Sequence, residues 1–437
     1  MPSYSRIPST SLGRRTTPTP TWTLSCSVCR RRTSPWYVPP SRWHGTRTLT
    51  PGWRRINSSR RWSTLPGARC KAAKERCCNM KPLKIAMMSM THGHTRKYYQ
   101  VLKENPKLDW VAVSTANETV KEIFRNSVEG IPCYDSDEAM LDAHPEIEAV
   151  VLASENSEHI RQMRLCAARG IHVLSMKVPT FDMDEYDEMI RLMEDAGLVC
   201  QIELEMHYNP VIARMKQLVA DGRIGKINAF NATNITLSPV WAFPWQGVPE
   251  KSYGKRVPLK EGDPRFRGGA LCDHPHIFDM IRHMTGSEFD QVYAQVAPNI
   301  RPDLEEEDML SVIGRMKDGT VFSLDPSWSK MENRLPVPGP GWEVFPKRME
   351  VNITLHGDKG TVMADCFGPN VYHSGLPNDR YTVQYTYFDE WVGLIDEFVD
   401  NIRGGKTPLI NLRWHRETVR VMNACYESIA TGRPVKL

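Results

Sequence analysis

The chain has 437 residues, of which 41% are hydrophobic and 24% charged, a composition typical of a globular protein with room for two domains. Its formal net charge of +5 hides an uneven distribution: residues 1–79 carry sixteen basic residues against one acid, Glu75, and the rest carries about −10. No apolar run approaches the ~18 residues that span a bilayer. We therefore expect neither a membrane nor nucleic acid as a partner of the acidic body.

Residues 1–79 are rich in Arg, Ser, Pro and Trp and show no hydrophobic periodicity. Such a segment buries too little apolar surface to offset its conformational entropy, so we expect it to be disordered. It could be an organelle transit peptide or a basic arm for nucleic acid. We favour a third interpretation, upstream sequence translated in a non-native frame with Met80 as the true start, because regular patterning begins abruptly at "MKPLKIA".

Residues 80–205 alternate short apolar runs with helical stretches. Strands that are apolar on both faces and alternate with helices predict a parallel sheet covered on both sides, that is, a doubly wound α/β Rossmann domain. The predicted strands are 84–88, 110–115, 149–154, 172–176 and 199–206.

Residues 206–437 have a different pattern and predict a second, α+β domain. A helix is followed by longer runs of alternating polarity, in which Asp318-Gly319 and Lys359-Gly360 occupy positions typical of tight hairpin turns. Two amphipathic helices ending at Gly404-Gly405 and Gly432 close the chain. We predict a large, open, mostly antiparallel sheet with one free face, and a homodimer or homotetramer formed through it.

The cysteines of the body are isolated and lie mostly in apolar runs, as expected of reduced core residues in a cytoplasmic protein. They are Cys133, Cys166, Cys200, Cys272, Cys366 and Cys425.

The turn after the first strand reads "MMSMTHGHTRKYY", at the position of a dinucleotide-binding glycine motif. It contains one glycine, Gly93, while Ser89, Thr91 and His94 stand where Gly-x-Gly-x-x-Gly would have its glycines. The backbone would approach a diphosphate less closely at each of these positions. Their side chains, and that of His92, could instead donate hydrogen bonds to it.

The segment "GGALCDHPHIFDMIRHMTG" crowds Asp273, His274 and His276 into the start of a predicted helix, with Pro275 fixing the turn. A histidine has the pKa range of a general base at neutral pH. The alternative is structural: Asp273 caps the helix and His276 is a core histidine bonded to it.

From about residue 84 to the end, the sequence resembles the Gfo/Idh/MocA family of sugar and inositol oxidoreductases. The resemblance rests on the order and spacing of several motifs, including "GGALCDHPHIFD", "HVLSMKVPTF" at the position of a Glu-Lys-Pro motif, "ASENSEH" and "DGRIGKI". Asp273, His276 and Asp279 match the family's acid and histidine segment, although one residue is missing between the first two. Lys177 and His159 are retained, while Met176 and Val178 replace an acid and a proline.

The resemblance implies an NAD- or NADP-dependent oxidoreductase acting on a secondary hydroxyl of a sugar, sugar acid or cyclitol. Lys177 would bind the substrate oxygen, His276 would take its proton, and Asp273 would orient the imidazole or bind a second hydroxyl. His207, Tyr208 and His274 would contact substrate. The residues expected to bind the dinucleotide are Ser89, Thr91, His92, Gly93, His94, Thr115, Ser154, His159 and Lys177.

Thr115 stands where the family carries an acid for the adenosine ribose, which leaves NAD and NADP both open. The pairs His92/His94 and His274/His276 belong to different domains and have no evident carboxylate partner, so no metal is expected.

Two alternatives remain within the same fold. One is an enzyme that cleaves glycosidic bonds by transient oxidation and elimination, with the dinucleotide kept bound. The other is a non-catalytic ligand-sensing regulator, which the altered glycine turn, Thr115 and Met176 favour and the retained Lys177, Asp273 and His276 oppose.

Overall fold

The computed structural model describes residues 81–236, 255–259, 265–329, 349–368, 370–375, 379–384 and 389–437. The expectations for residues 1–79 lie outside these ranges.

The first half of the described chain forms a six-stranded parallel sheet in the order β3-β2-β1-β4-β5-β6. This order reverses between β1 and β4, which places a crevice at their carboxyl ends. The elements are β1 (Leu83–Met88), α1 (Thr95–Glu104), β2 (Leu108–Ser114), α2 (Glu118–Ser127), β3 (Cys133–Tyr134), α3 (Asp137–Ala143), β4 (Ala149–Leu152), α4 (Asn156–Arg169), β5 (His172–Ser175), α5 (Met183–Asp195) and β6 (Cys200–Ile202).

A 3₁₀ turn at Glu205–Tyr208, the junction helix, leads into α6 (Pro210–Ala220) and a second sheet of nine strands. All adjacent pairs with an assigned direction in this sheet are antiparallel except β12 with β7. The remaining elements are β7 (Ile227–Ile235), β8 (Val257–Pro258), β9 (Phe266–Arg267), α7 (Ala270–Asp273), α8 (Pro275–Thr285), β10 (Phe289–Val296), β11 (Leu310–Met316), β12 (Val321–Asp325), β13 (Glu350–Gly357), β14 (Gly360–Asp365), β15 (Asn370–Gly375), β16 (Asp379–Gln384), α9 (Glu390–Gly404), α10 (Leu412–Thr431) and β17 (Val435–Lys436).

The fold confirms the predicted Rossmann sheet and the mostly antiparallel second sheet. The two predicted hairpins are present as β11–β12 and β13–β14, and the last two helices end at Gly405 and Gly432 in the left-handed conformation. The six cysteines of the described chain are free thiols. Among the described helices, none is long and apolar enough to cross a membrane.

The strand predicted to run to residue 206 is shorter than expected. It ends at Ile202, although the N–H of Glu203 still donates to the carbonyl of Ser175 at 2.8 Å. The chain then turns into the junction helix. Glu203 and Glu205 therefore lie at the carboxyl end of the sheet instead of alternating along a strand.

Helix α9 follows the second sheet in the chain but packs on the first one. Its apolar stripe belongs to the same buried cluster as β1, β2 and α1. Trp391 at its start contacts the rings of His94 and Tyr98, with centroids 5.2 and 5.1 Å apart. The two predicted domains thus share a core across their boundary at residue 205.

Replacing the fully buried Phe398 of α9 with Ala should destabilise the protein by about 3–5 kcal/mol, as for other buried aromatic truncations. Because the side chain packs under the first sheet, amide hydrogen exchange should accelerate in β1. Urea unfolding and exchange measured by mass spectrometry test both effects. The exposed Val392 of the same helix is the control, since Val392→Ala should change stability by about 0.5 kcal/mol or less. Unchanged protection of β1 in Phe398→Ala would contradict the shared core.

Candidate active site at the strand ends

The turn between β1 and α1 has the backbone of a glycine-rich turn without the glycines. Ser89 and Met90 both have positive φ, at 72° and 92°, in the region that glycine adopts most readily. The N–H groups of Met90 and His92 donate to the carbonyl of Ala153 after β4 at 3.2 and 3.0 Å. The turn is therefore tied to the neighbouring strand at the point where the strand order reverses.

A carboxylate lies directly beside this turn. Glu155, just before α4, accepts hydrogen bonds from the hydroxyls of Ser89 at 3.1 Å and Thr91 at 2.7 Å. The two hydroxyls that we expected to face a diphosphate face Glu155 in this conformation.

The start of α1 remains favourable for an anion. Its first turn contains no acid, and Arg96 and Lys97 are exposed beside Gly93. Two cations at a helix N-terminus are unfavourable for the helix dipole alone, but they complement a bound anion.

The carboxyl end of β6 brings two acids into the same crevice. Glu203 is fully buried, and its Oε1 accepts a hydrogen bond from Nδ1 of His94 at 2.9 Å. Burial opposes protonation of His94, but the charge and hydrogen bond of Glu203 outweigh it and raise the pKa of the imidazole. Glu205 lies two residues further on, with its Oε1 3.8 Å from Nε2 of His276.

The centre of the site is an ion pair between the two halves of the protein. Lys177 follows β5 and Asp273 ends α7; Nζ lies 2.9 Å from the carboxylate Oδ1, and both side chains are largely buried. Trp328 Nε1 donates to the second oxygen of Asp273 at 3.0 Å. Burial raises the pKa of Asp273, but the charge of Lys177, then His274 and these hydrogen bonds, hold it well below its usual range.

We expected Asp273 to contact the imidazole of His276, but within the described chain its carboxylate binds other groups. The carboxylate of Asp273 accepts hydrogen bonds from Lys177 and Trp328. It does so because α7 and α8 are separate helices, between which the chain turns at His274. Asp273 therefore orients the lysine, and His276 faces Glu205.

The two glycines before α7, Gly268 and Gly269, allow close approaches to the backbone. A Cβ on Gly269 would lie 2.2 Å from a carboxylate oxygen of Glu307. That side chain accepts the N–H of Leu271 at 3.1 Å and so anchors the start of the helix that ends at Asp273.

His276 is buried on α8 and, among the described residues, its Nδ1 has no hydrogen-bond partner. Burial and the nearby charge of Lys177 lower its pKa well below the usual value, so the imidazole is neutral at pH 7. His274 is also buried; its Nδ1 donates to the carbonyl of Pro326 at 2.9 Å, and its Nε2 accepts the hydroxyl of Thr236 at 3.2 Å.

His207 and Tyr208, the predicted substrate contacts, both have protein hydrogen-bond partners. His207 Nε2 donates to Asp279, which also accepts the indole N–H of Trp414. The Tyr208 hydroxyl donates to Glu397 of α9. Both residues fasten the junction helix to the helices around it.

The other predicted dinucleotide residues also lie at the strand ends. His159 Nδ1 donates to the carbonyl of Pro179 at 3.0 Å, supporting the loop after Lys177, and its Nε2 has no partner in the described chain. Ser154 donates to Gln162 at 2.6 Å. Thr115 directly follows β2, and its hydroxyl accepts a hydrogen bond from the N–H of Asn117 at 3.2 Å.

His92, His94 and Glu203 offer ligand atoms that all lie within 4.8 Å of one another, so the histidines of the first turn do have a carboxylate neighbour. However, Nδ1 of His92 accepts the N–H of His94 at 3.2 Å, which places the proton of a neutral His92 on Nε2. That nitrogen is then a donor and not a metal ligand. Burial, His94 and Lys177 lower the pKa of His92, and the charge of Lys177 opposes the rise in the pKa of His94, as it would disfavour a bound cation. The geometry favours a hydrogen-bonded cluster over a metal centre.

Four residues of the site were not predicted from the sequence: Glu155, Glu203, Glu205 and Trp328. The two acids in "ELE" have the spacing of an exposed strand face, which concealed them. The signal that was available is their position directly after a buried strand of a parallel sheet, where binding residues concentrate.

A Rossmann sheet with a buried lysine, an acid and a histidine at its carboxyl edge is the arrangement expected of a dinucleotide-linked oxidoreductase. Comparison with known proteins supports this class. The profile of the oxidoreductase family with an NAD-binding Rossmann fold matches residues 87–204, and that of the GFO/IDH/MocA C-terminal domain matches residues 212–363. The chain belongs to the Gfo/Idh/MocA family, and it is an NAD(P)-dependent oxidoreductase acting on a CH–OH group.

Several relatives are similar over most of their length. An uncharacterized oxidoreductase of Rhizobium meliloti is 30% identical over 305 residues, which cover 66% of this chain and 80% of that protein. The myo-inositol 2-dehydrogenase of Thermotoga maritima is 24% identical over 304 residues, covering 67% and 80%. The crystal structure of myo-inositol 2-dehydrogenase from Lactobacillus plantarum has a TM-score of 0.63 at 19% identity, covering 82% of this chain and all of that one.

The residues at the strand ends fit a dinucleotide. Besides the cationic start of α1, buried polar atoms without a partner in the described chain occur around the crevice, at His92 Nε2, His159 Nε2, Glu203 Oε2 and Glu205 Oε2. Buried polar groups normally have hydrogen-bond partners, so this concentration of unpaired atoms is consistent with a polar ligand that completes their hydrogen bonds.

Removing the lysine of the central ion pair should lower the stability of the protein, independently of any effect on its activity. Lys177→Met leaves Asp273 buried without its cation, and breaking such a pair costs about 3–5 kcal/mol. Adding Asp273→Asn should recover a large part of this loss. A double-mutant cycle by urea unfolding measures the coupling; additive effects of the two substitutions would contradict the pairing.

Proposed function

We propose that the protein oxidises a secondary hydroxyl group of a cyclitol or sugar, with NAD as the preferred acceptor. The observation that carries the proposal is the buried ammonium group of Lys177, held by Asp273 at the carboxyl end of β5, with neutral His276 in the same cluster. The names of relatives support the substrate class, since they include a myo-inositol 2-dehydrogenase and a scyllo-inositol 2-dehydrogenase.

The bound nicotinamide supplies the hydride acceptor. Gly93, Arg96 and Lys97 at the start of α1 would hold the diphosphate, and Thr115 and His159 would lie along the dinucleotide. Lys177 donates a hydrogen bond to the substrate oxygen and stabilises the negative charge that develops there, an effect that is strong in a buried site. Asp273 holds the ammonium group in place, and neutral His276 is free to accept the hydroxyl proton.

The surroundings of β2 favour NAD over NADP. Lys121, the nearest base after Thr115, has its ammonium group bound by Glu118 at 2.5 Å and Asp135 at 2.6 Å. A 2′-phosphate would therefore meet two carboxylates already gathered around this lysine.

Isothermal titration and absorbance of the reduced cofactor test this function. Residues 80–437 should bind NAD about 10-fold or more tighter than NADP and should reduce it with an inositol or an aldose. Lys177→Ala should lower kcat by about 10²–10³-fold, typical of a lost transition-state donor, while leaving NAD affinity within about 3-fold. Arg164→Ala, on the outer face of α4 with its guanidinium bound to Glu188, is the matched control and should not change kcat. Binding of NAD without turnover across a broad polyol and sugar screen would contradict the proposal.

We also propose that the outer face of the second sheet joins two copies of the chain. One cross-strand row on that face runs Ile313, Ser323, Asn231, Thr354, Met363 and Tyr372. The row is apolar and exposed at its ends, with Ile313 51% and Met363 49% exposed, and polar in the middle. Such a face meets itself favourably across a two-fold axis.

Light scattering coupled to size exclusion tests the dimer. Ile313→Glu with Met363→Glu should give monomers at concentrations where the unmodified protein is dimeric, because the substitutions place like charges in the contact. Val392→Glu, at an equally exposed apolar residue of α9, should leave the dimer intact. An unmodified protein that stays monomeric at high micromolar concentration would rule the interface out.

A further inference from the structure

Glu205 is a mostly buried acid next to His276, and it does not belong to the sequence motif that contains the histidine. We propose that Glu205 is a proton-relay residue, which receives through His276 the proton that the substrate hydroxyl loses. This inference rests on the proposed function, because it assigns the fate of the proton in that same reaction.

The geometry leads from the histidine to the carboxylate. Glu205 Oε1 lies 3.8 Å from Nε2 of His276, a separation that a small side-chain rotation or one bridging water would span. Its other oxygen, Oε2, is buried and has no hydrogen-bond partner among the described residues. The side chain as a whole is 15% exposed, so it also reaches the edge of the site and the solvent.

The position of Glu205 is fixed by local structure. It begins the junction helix directly after the short strand β6, and His207 and Tyr208 of that helix are fastened to Asp279 and Glu397. The backbone that carries the carboxylate is therefore held beside the site.

The groups around Glu205 set its acidity. Burial, and then the neighbouring carboxylate of Glu203, raise the pKa of Glu205 to about 8, while His94 and Lys177 oppose this shift. A carboxyl group that titrates near the working pH is suited to exchange protons in both directions. The titratable groups that face it are Glu203, His94, Tyr98, Lys177 and His276.

His276 is poorly suited to keep the proton itself. Its pKa is held well below the usual value by burial and by Lys177, so a protonated imidazole at this position is short-lived at neutral pH. A nearby ionised carboxylate both stabilises that imidazolium and accepts its proton.

Each proton transfer in the relay breaks one bond and forms another. The O–H bond of the substrate breaks as hydride leaves the same carbon for the oxidised nicotinamide, and the proton forms an N–H bond at Nε2 of His276. That N–H bond then breaks, the proton forms an O–H bond on Glu205, and Glu205 releases it to water. Oxidation thus starts from ionised Glu205, and reduction starts from its protonated form.

The pH profile of kcat/KM tests the relay. In the unmodified protein, the oxidation rate should rise with pH through a midpoint of about 8. Glu205→Gln should lose this rise and lower the rate at pH 9 by about 10²-fold, the usual contribution of a proton-transfer group. Glu205→Asp should keep the rise with a lower rate. Glu188→Gln, which removes a partly exposed carboxylate of α5 bound to Arg164 of α4, should keep the profile of the unmodified protein.

The outcomes separate the two proposals. If the unmodified protein oxidises a polyol and Glu205→Gln retains its pH profile and rate, the relay is wrong and the proposed function stands. If the unmodified protein oxidises no polyol or sugar with either dinucleotide, both are overturned. Should Glu205→Gln fail to fold, Glu205→Asp decides, because an unchanged rate and midpoint in that variant would overturn the relay.

Discussion

The site depends on one buried ion pair, between Lys177 after β5 and Asp273 at the end of α7. The two residues are 96 positions apart in the chain, one after a strand of the first sheet and the other in a helix of the second half, so their pairing sets how the Rossmann half meets the segment that carries His276. A lone buried ammonium or carboxylate would be strongly unfavourable, and the pair, with the indole of Trp328, satisfies both. The same interaction holds the ammonium group of Lys177 beside the crevice of the first sheet, where, in the proposed reaction, it donates a hydrogen bond to an oxygen of the substrate.

The rest of the crevice compensates for a turn that lacks the usual glycines. Ser89 and Met90 adopt positive φ, and the hydroxyls of Ser89 and Thr91 are held by Glu155. His94, at a glycine position of the motif, is paired with Glu203 at the end of β6. These contacts join the ends of β1, β4 and β6 through side chains, so the turn has not simply lost its interactions. They also bring more carboxylates to the site than the motif residues alone indicate, and the proposed proton relay through Glu205 depends on one of these, Glu203, which raises the pKa of Glu205.

Much of the fold could be predicted because its signals are local. Runs apolar on both faces identify buried parallel strands, and Asp318-Gly319 identifies a hairpin, without knowledge of any distant contact. The end of β6 could not be predicted, since the alternation of Glu203 and Glu205 imitates a strand face. Nor could the docking of α9 on the first sheet, because an amphipathic stripe shows that a helix is buried but not against which surface. The partners of His94, His207 and Asp273 lie far away in sequence, and only the folded chain brings them together.

The central claim is that these strand ends carry out hydride transfer from a polyol carbon to a nicotinamide. It is tested most directly by supplying NAD and an inositol deuterated at its ring carbons, and measuring the mass of the reduced dinucleotide. The account predicts that one deuterium appears in the reduced dinucleotide, and that Lys177→Ala nearly abolishes the transfer. A protein that binds both ligands but transfers no deuterium would contradict the claim.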